Sequence, residues 1–401
     1  MSLTELPTRQ RVESLRGEDI LCFSHDWTGD PLSKTHLMRI LSRENRVLWV
    51  NSIGYRAPSA TGADLHRALR KLAAVTTPLR EVEPNLFVLH PLAIPAYGRP
   101  GIRFLNRELL RMQVRRAMRK LGFRSPLNWV FNPAAGLIAG GLGEKAIIYY
   151  CVDEYTAFTG VNRSSISEIE DSLLTRADLV ITSSERLQES KSRRNSNTYL
   201  LRHGVDFEHF RRALDPEVEI PSEIHNLPRP VIGYFGLIAE DWVDVELLAR
   251  LADHFSTASI VMLGKVTMEL GSLTSRPNIH LLGRKAYADL PAYCKGFDVG
   301  IIPFPISEVT LNANPLKARE YLAAGLPVVS TAIPEVEALG QCFIGCDHED
   351  FLRKMTLALR RPGPSAATSE TMRGESWQAR VDTIREIFAS MTIDGPTLKS
   401  R

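Results

Sequence analysis

Twelve short apolar runs recur between residues 19 and 331, most of them separated by enough chain for a helix. Seven lie at 19–24 (DILCFS), 46–51 (RVLWVN), 86–90 (LFVLH), 128–132 (NWVFN), 146–152 (AIIYYCV), 178–182 (DLVIT) and 197–201 (NTYLL). Five more lie at 231–235 (VIGYF), 259–263 (SIVML), 278–282 (NIHLL), 297–302 (FDVGII) and 327–331 (PVVST). Unbroken β-branched runs of this length, spaced by helical patterns, predict parallel strands covered on both faces. The stretch from 206 to 230 is proline-rich and non-periodic, so the runs fall into two series. The expected fold is α/β: two doubly wound, Rossmann-like domains over 1–205 and 206–375, with a last helix in 376–401. In such folds ligands sit beyond the carboxyl ends of the strands, so the chemistry is sought in the loops that follow the runs.

Composition narrows the function classes. Up to residue 205 the chain has 29 Lys and Arg against 20 Asp and Glu; beyond it, 20 against 26. The first half therefore suits an anionic partner better than the second. Five cysteines, at 22, 151, 294, 342 and 346, show no metal-ligand spacing. They read as reduced thiols in a cytosolic compartment. The first twenty residues lack an apolar signal core, and no run reaches transmembrane length. The expected localisation is cytoplasmic. No nucleic-acid module is visible.

Residues 312–335, NANPLKAREYLAAGLPVVSTAIPE, carry the most chemistry. They predict a short helix, capped by Asn314 with Pro315 in the first helical position, stopped at Gly325 and followed by a buried strand. Lys317 falls in the first turn, and Glu320 follows on the same face. A helix N-terminus with a lysine can hold a diphosphate, and a carboxylate further along can accept from ribose hydroxyls. No Asp-x-Asp run offers a metal clamp for the diphosphate. A metal-independent site with no cofactor is expected, the helix dipole and Lys317 stabilising the leaving group.

NPLKAREYLAAGLPVVS resembles the nucleotide-sugar signature of GT-B glycosyltransferases, most of all the bacterial exopolysaccharide and teichuronic-acid branch with the xanthan-type glucuronosyltransferases. His203-Gly204-Val205-Asp206 resembles the interdomain turn of these enzymes. Ile232–Trp242 resembles the first strand and loop of their donor domain, and Asn278–Tyr293 a later strand and helix. Trp377 and the helix after it resemble the segment that crosses back to the first domain. The resemblance implies a nucleotide sugar, UDP-linked, as donor substrate and a lipid-linked or polysaccharide acceptor. It implies donor contacts at Gly236, Asn314, Lys317 and Glu320. Two departures bear on mechanism. Many retaining members carry two glutamates separated by seven residues; Glu320 matches the second, but the first is replaced by Asn312. The basic pair of the first donor loop is missing, which shifts phosphate neutralisation to Lys317, backbone N–H groups, Arg284 and Lys265.

Asp153 directly follows the run at 146–152 and is the first candidate for the base of an inverting transfer. It resembles the catalytic Asp of the xanthan-type enzymes. Glu154 is its rival, and a helix-capping role is the alternative. Ser24-His25-Asp26 follows the first run; His25 is a candidate donor to phosphate or sugar, and Asp26 a second base or the cap of a helix near 33–43. Two other readings stay open: a nucleotide-sugar epimerase and a non-catalytic binding homologue. Residues 101–123 read as a basic amphipathic helix, with Arg99, Arg103, Arg107, Arg111, Arg115 and Arg119 every fourth residue. It is expected to rest on the anionic inner face of the plasma membrane, or to be a solvated face over the core.

Overall fold

The computed structural model describes residues 15–52, 79–92, 100–361 and 363–390. Each of the twelve apolar runs carries a strand. The first sheet comprises β1 (Asp19–Phe23), β2 (Arg46–Val50), β3 (Leu79–Glu83), β4 (Leu86–Leu89), β5 (Leu127–Val130), β6 (Ala146–Cys151), β7 (Leu179–Thr182) and β8 (Thr198–Leu200), in the order β3-β4-β2-β1-β5-β6-β7-β8. The second comprises β9 (Val231–Phe235), β10 (Ser259–Leu263), β11 (Ile279–Gly283), β12 (Val299–Ile302), β13 (Val328–Thr331) and β14 (Phe343–Gly345), in the order β11-β10-β9-β12-β13-β14. Both sheets reverse strand order beside their first strand, and that crevice is where ligands enter doubly wound sheets.

Two strands lie outside the twelve runs. β3 pairs antiparallel with β4, so the first sheet is not purely parallel. Its sequence, LREVE, is half-exposed and polar because it forms an edge. β14 has only three residues, too few to show a pattern. The central strands behave as expected: β5, β6, β9, β10, β12 and β13 are buried at every position.

Five helices matter below: α1 (Ser33–Leu41), α2 (Pro100–Leu121), α3 (Glu185–Ser192), α4 (Leu316–Ala323) and α5 (Trp377–Ser390). The C-terminal α5 packs on the first sheet, not the second. Trp377, Val381, Ile384, Ile387 and Phe388 recur at helical spacing and join the core of Trp49, Trp129 and Tyr150. Phe388 stacks on Trp129, with centroids 6.0 Å apart. To return there the chain passes beside its own earlier crossing. The Val205 N–H donates to the Glu375 carbonyl at 2.9 Å, and the Trp377 N–H to the Val205 carbonyl at 3.3 Å. Gly204 permits this approach, because a Cβ there would lie 2.9 Å from the Trp377 nitrogen. The segment before α5 includes a short helix, Ala366–Glu370. It is held by Ser369 Oγ donating to the Ala323 carbonyl and by the Ser365 N–H donating to Gly325.

Candidate active site

The site is built from loops at the carboxyl ends of both sheets. On the second sheet, β9 ends at Phe235 and Gly236 turns away with φ of +138°. That backbone conformation favours glycine. Space demands it as well: a Cβ on Gly236 would lie 2.9 Å from Lys317 Nζ. Gly264, just past β10, presses equally close, since its Cβ would meet the Gly236 carbonyl oxygen at 1.7 Å. The turn is pinned by the Gly236 N–H donating to Leu263 at 2.8 Å and by the Tyr234 hydroxyl donating to the Leu237 carbonyl at 2.8 Å.

Lys317 lies against this turn. Its Nζ is 5.2 Å from the Tyr234 ring centroid and 4.9 Å from that of Phe304, so two aromatic faces hold the ammonium. Burial lowers its pKa, while the Glu320 carboxylate raises it. Burial pushes the Glu320 carboxyl up; Lys317 opposes this and Asp206 adds to it. Among the described residues Lys317 has no carboxylate within ion-pair distance. A positioned, partly dehydrated ammonium beside a glycine turn suits a diphosphate.

The neighbouring residues divide. Asn314 is not the cap of α4: Pro315 occupies the cap position and the helix starts at Leu316. The Asn314 amide instead donates to the Ser183 carbonyl at 2.7 Å and to Glu335 at 3.4 Å, and its oxygen accepts from Arg319 at 2.7 Å. It therefore bridges to the first half of the chain. Arg284 is exposed and pairs with Asp30 through two hydrogen bonds, at 2.8 and 3.1 Å, across the crevice. Lys265 is exposed just beyond β10, and its carbonyl accepts from the Ile238 N–H. Gly236, Lys317 and Glu320 thus form one locus. Asn312 ends a short helix, Glu308–Asn312, and its amide donates to the Glu308 carbonyl at 2.7 Å. It lines a separate hollow of about 510 Å³ with Glu185, Arg186, Glu189 and Arg193.

On the first sheet, Asp153 follows β6 and is partly buried. Burial raises its pKa to about 6, with Lys34 pulling the other way. It does not cap a helix; the helix that follows starts at Arg163 and is capped by Asn162. The Asp153 loop is clamped on every side. Ser183 Oγ donates to the Val152 carbonyl at 2.9 Å, Cys151 Sγ to the Asp153 carbonyl at 3.4 Å, and the Tyr155 hydroxyl to the Phe131 carbonyl at 2.7 Å. Glu154 is withdrawn from any role as base. Its carboxylate pairs with Lys191 at 2.9 Å and accepts from Thr156 at 2.6 Å.

His25 packs edge-on against Trp49, with centroids 5.3 Å apart. Its Nδ1 lies 3.1 Å from Ser24 Oγ, and its buried Nε2 has no hydrogen-bond partner among the described residues. Burial lowers its pKa to about 3, helped by Lys34. The ring is therefore neutral at physiological pH and can offer a hydrogen bond but no charge. Asp26 is exposed and does not cap α1, whose N-cap position is Leu32.

Three residues of the site escaped the sequence reading. Lys34 opposes Asp153, Asp206 lies near Glu320, and the buried Arg319 joins Asn314 to Glu375. A lone Lys in PLSKTHL and an Arg in a helical run carry no local signal; only the fold places them.

Residues 229–361 match the family described as Glycosyl transferases group 1. Over 232 residues the chain is 23% identical to a Bacillus subtilis (strain 168) protein carrying the name teichuronic acid biosynthesis glycosyltransferase TuaH. The match covers 54% of this chain and 58% of the relative's length. Among solved structures, sucrose-phosphate synthase from Thermosynechococcus elongatus superposes with a TM-score of 0.68 at 15% identity, covering 93% of this chain and 100% of that one. Anabaena Alr3699/HepE, solved in complex with UDP, gives 0.61 at 14% identity, with the same coverages. Residues 229–361 form a group 1 glycosyl transferase domain, and the chain that carries it has the GT-B fold.

Proposed function

We propose that the protein is a metal-independent glycosyltransferase that moves a sugar from a UDP-linked donor to a lipid-linked or polysaccharide acceptor with inversion. One observation carries the reading: Lys317 Nζ is held by two aromatic faces against the Gly236 turn, with Glu320 one turn along α4. Lys317 takes the diphosphate and Glu320 the ribose. Asp153 takes the proton of the acceptor hydroxyl as that oxygen attacks the anomeric carbon; the sugar–diphosphate bond breaks and its charge leaves with UDP. Arg284 and Lys265 stand at the rim as secondary phosphate contacts, Arg284 once it releases Asp30.

A thermal-shift screen of nucleotide sugars tests the donor class. Donor stabilisation followed by sugar transfer supports the reading; donor cleavage to UDP and a rearranged free sugar, with no acceptor present, points to an epimerase. Glu320→Ala is expected to weaken UDP binding roughly 10- to 100-fold, the scale of a hydrogen bond to a charged group. Unchanged calorimetric affinity would remove Glu320 from the ribose role.

A membrane contact is part of the proposal, supported by the outer face of α2. Leu110, Val114 and Met118 turn inward and are buried, whereas Phe104, Leu105 and Met112 are exposed at 59%, 51% and 58%. Arg115, Arg116 and Arg119 share that outer face. Arg107 and Arg111 are less available because both pair with Glu108. Arg99 and the side chain of Arg103 lie outside the described residues. Exposed apolar side chains among arginines suit an anionic bilayer surface. Changing Arg115, Arg116 and Arg119 to Gln is expected to reduce binding to phosphatidylserine vesicles roughly 100-fold, at about 1 kcal/mol per charge. Wild-type protein that ignores such vesicles in a sedimentation assay sinks the membrane contact.

A further inference from the structure

The start of α3 belongs to the first half of the chain but is gripped by the second. The Ser183 carbonyl accepts from the Asn314 amide at 2.7 Å, Ser184 Oγ donates to the Asn312 carbonyl at 2.7 Å, and the Glu185 N–H donates to Glu335 Oε1 at 2.8 Å. Ser184 is also the N-cap of α3 and accepts from the Leu187 N–H at 3.4 Å. The Glu185 N–H is one of the amides that a helix start leaves without an internal partner. A carboxylate from the other sheet supplies that partner, at the end of the helix where negative charge is favoured.

Glu335 lies in the short helix Pro334–Glu337 after β13 and is 3% exposed. A carboxylate so far from water needs partners on both oxygens. Oε1 has the Glu185 N–H. Oε2 has Arg202 Nε at 2.7 Å and the Asn314 amide at 3.4 Å. Arg202 also reaches the Glu185 carboxylate at 2.5 Å. One side chain of the second half thus joins α3, the segment after β8 and Asn314.

Asn314 carries the connection in two directions. Arg319 can only donate, so its 2.7 Å contact with the Asn314 oxygen fixes how the amide faces: the nitrogen points at Ser183 and Glu335. In one direction, Asn314 lies three residues before Lys317, at the entry to α4. In the other, Ser183 Oγ donates to the Val152 carbonyl at 2.9 Å, and Asp153 is the next residue. Asn314, Ser183 and Val152 are all buried. A hydrogen-bonded path through them joins the entry of α4 to the Asp153 loop, and Glu335 braces it against α3.

We infer that Glu335 is a positioning residue for the transfer: by bracing Asn314 against the first turn of α3, it sets the Asp153 loop in register with Lys317. The inference rests on the proposed roles of α4 and Asp153. Displacing reacting groups by about 1 Å can cost on the order of 100-fold in rate. Gly236, Lys317 and Glu320 all lie in the second half, so the same displacement leaves donor binding alone.

The test compares Glu335→Ala and Glu335→Gln with wild type in the full chain. Arg202 keeps Glu185 as a partner in both, so neither strands its guanidinium. Glu335→Ala is expected to lower kcat, counted per calorimetric UDP site, roughly 10- to 100-fold, with the UDP dissociation constant held within about twofold. Glu335→Gln keeps an oxygen for the Glu185 N–H and should recover most of the loss. Hydrogen exchange read by mass spectrometry needs neither nucleotide nor turnover. In Glu335→Ala it should quicken in both 183–192 and 312–320. Quickening in 183–192 alone would reduce Glu335 to a helix cap and overturn the inference. Unchanged kcat per site in folded Glu335→Ala protein would overturn it too. Full transfer in Asp153→Asn would instead end the base role, while paired loosening of the two segments would still support the brace.

Discussion

Asp153→Asn is expected to lower sugar transfer by about 10²- to 10⁴-fold, the range over which a positioned general base acts. UDP binding should stay within about twofold, because the donor locus lies on the other sheet. In wild type the carboxylate must be ionised to accept a proton. Its pKa, raised to about 6 by burial, places the acid limb of the kcat profile there, with activity rising as pH increases through that value. The stability effect has the opposite sign. A carboxyl whose folded pKa is raised favours the folded state while protonated, and this contribution is lost as pH rises through about 6. Asn keeps the neutral form at all pH. The variant should therefore be more stable than wild type at pH 8, by on the order of 2 kcal/mol, and about equal to it below pH 4. Near-normal turnover in a folded Asp153→Asn protein would remove the residue as base.

Lys191→Met is expected to cost about 3–5 kcal/mol of stability at pH 7.5, read by urea unfolding. Lys191 lies between two carboxylates, 2.9 Å from Glu154 and 3.0 Å from Glu170, and all three are nearly excluded from solvent. Tyr149 donates to Glu170 at 2.5 Å from beneath. Removing the ammonium leaves two buried carboxylates facing each other. Burial pushes Glu154 up, but Lys191 and the Thr156 hydrogen bonds bring it below the usual glutamate range. In wild type that stability is present above the unfolded pKa and lost only in strong acid. In the variant Glu154 loses the lysine that holds its pKa down and can take a proton as pH falls. The deficit against wild type should therefore shrink between pH 7.5 and pH 5. A constant deficit would mean that lost packing, not charge, dominates. Because Glu154 adjoins Asp153, the variant should also lower kcat more than it raises KM for the donor.

The strands were legible because each is a nearly unbroken apolar run, a pattern only two-sided burial sustains. β3 was not, because an exposed edge needs few apolar residues. Lys317 and Glu320 lie on one face of α4, as helix spacing alone predicts. Asn314 was misread as a cap: the amide suits that role locally, but Ser183, Glu335 and Arg319 compete for it from elsewhere in the fold. Glu154 and Asp153 are adjacent in sequence and equivalent in type. Only the third dimension separates them, by giving Glu154 a lysine from α3.

The paired crossing at Val205 and Ser376 sets how the two sheets can move. A single linker would let the halves swivel freely. Two passes of chain, running parallel where they are bonded to each other, act as a two-pin door hinge. Rotation about the axis through the pins stays soft, while twisting and sliding strain both passes together. Opening the crevice would require Arg284 to leave Asp30 and Asn314 to leave Ser183. Cutting the chain before α5 would remove one pin as well as a core helix.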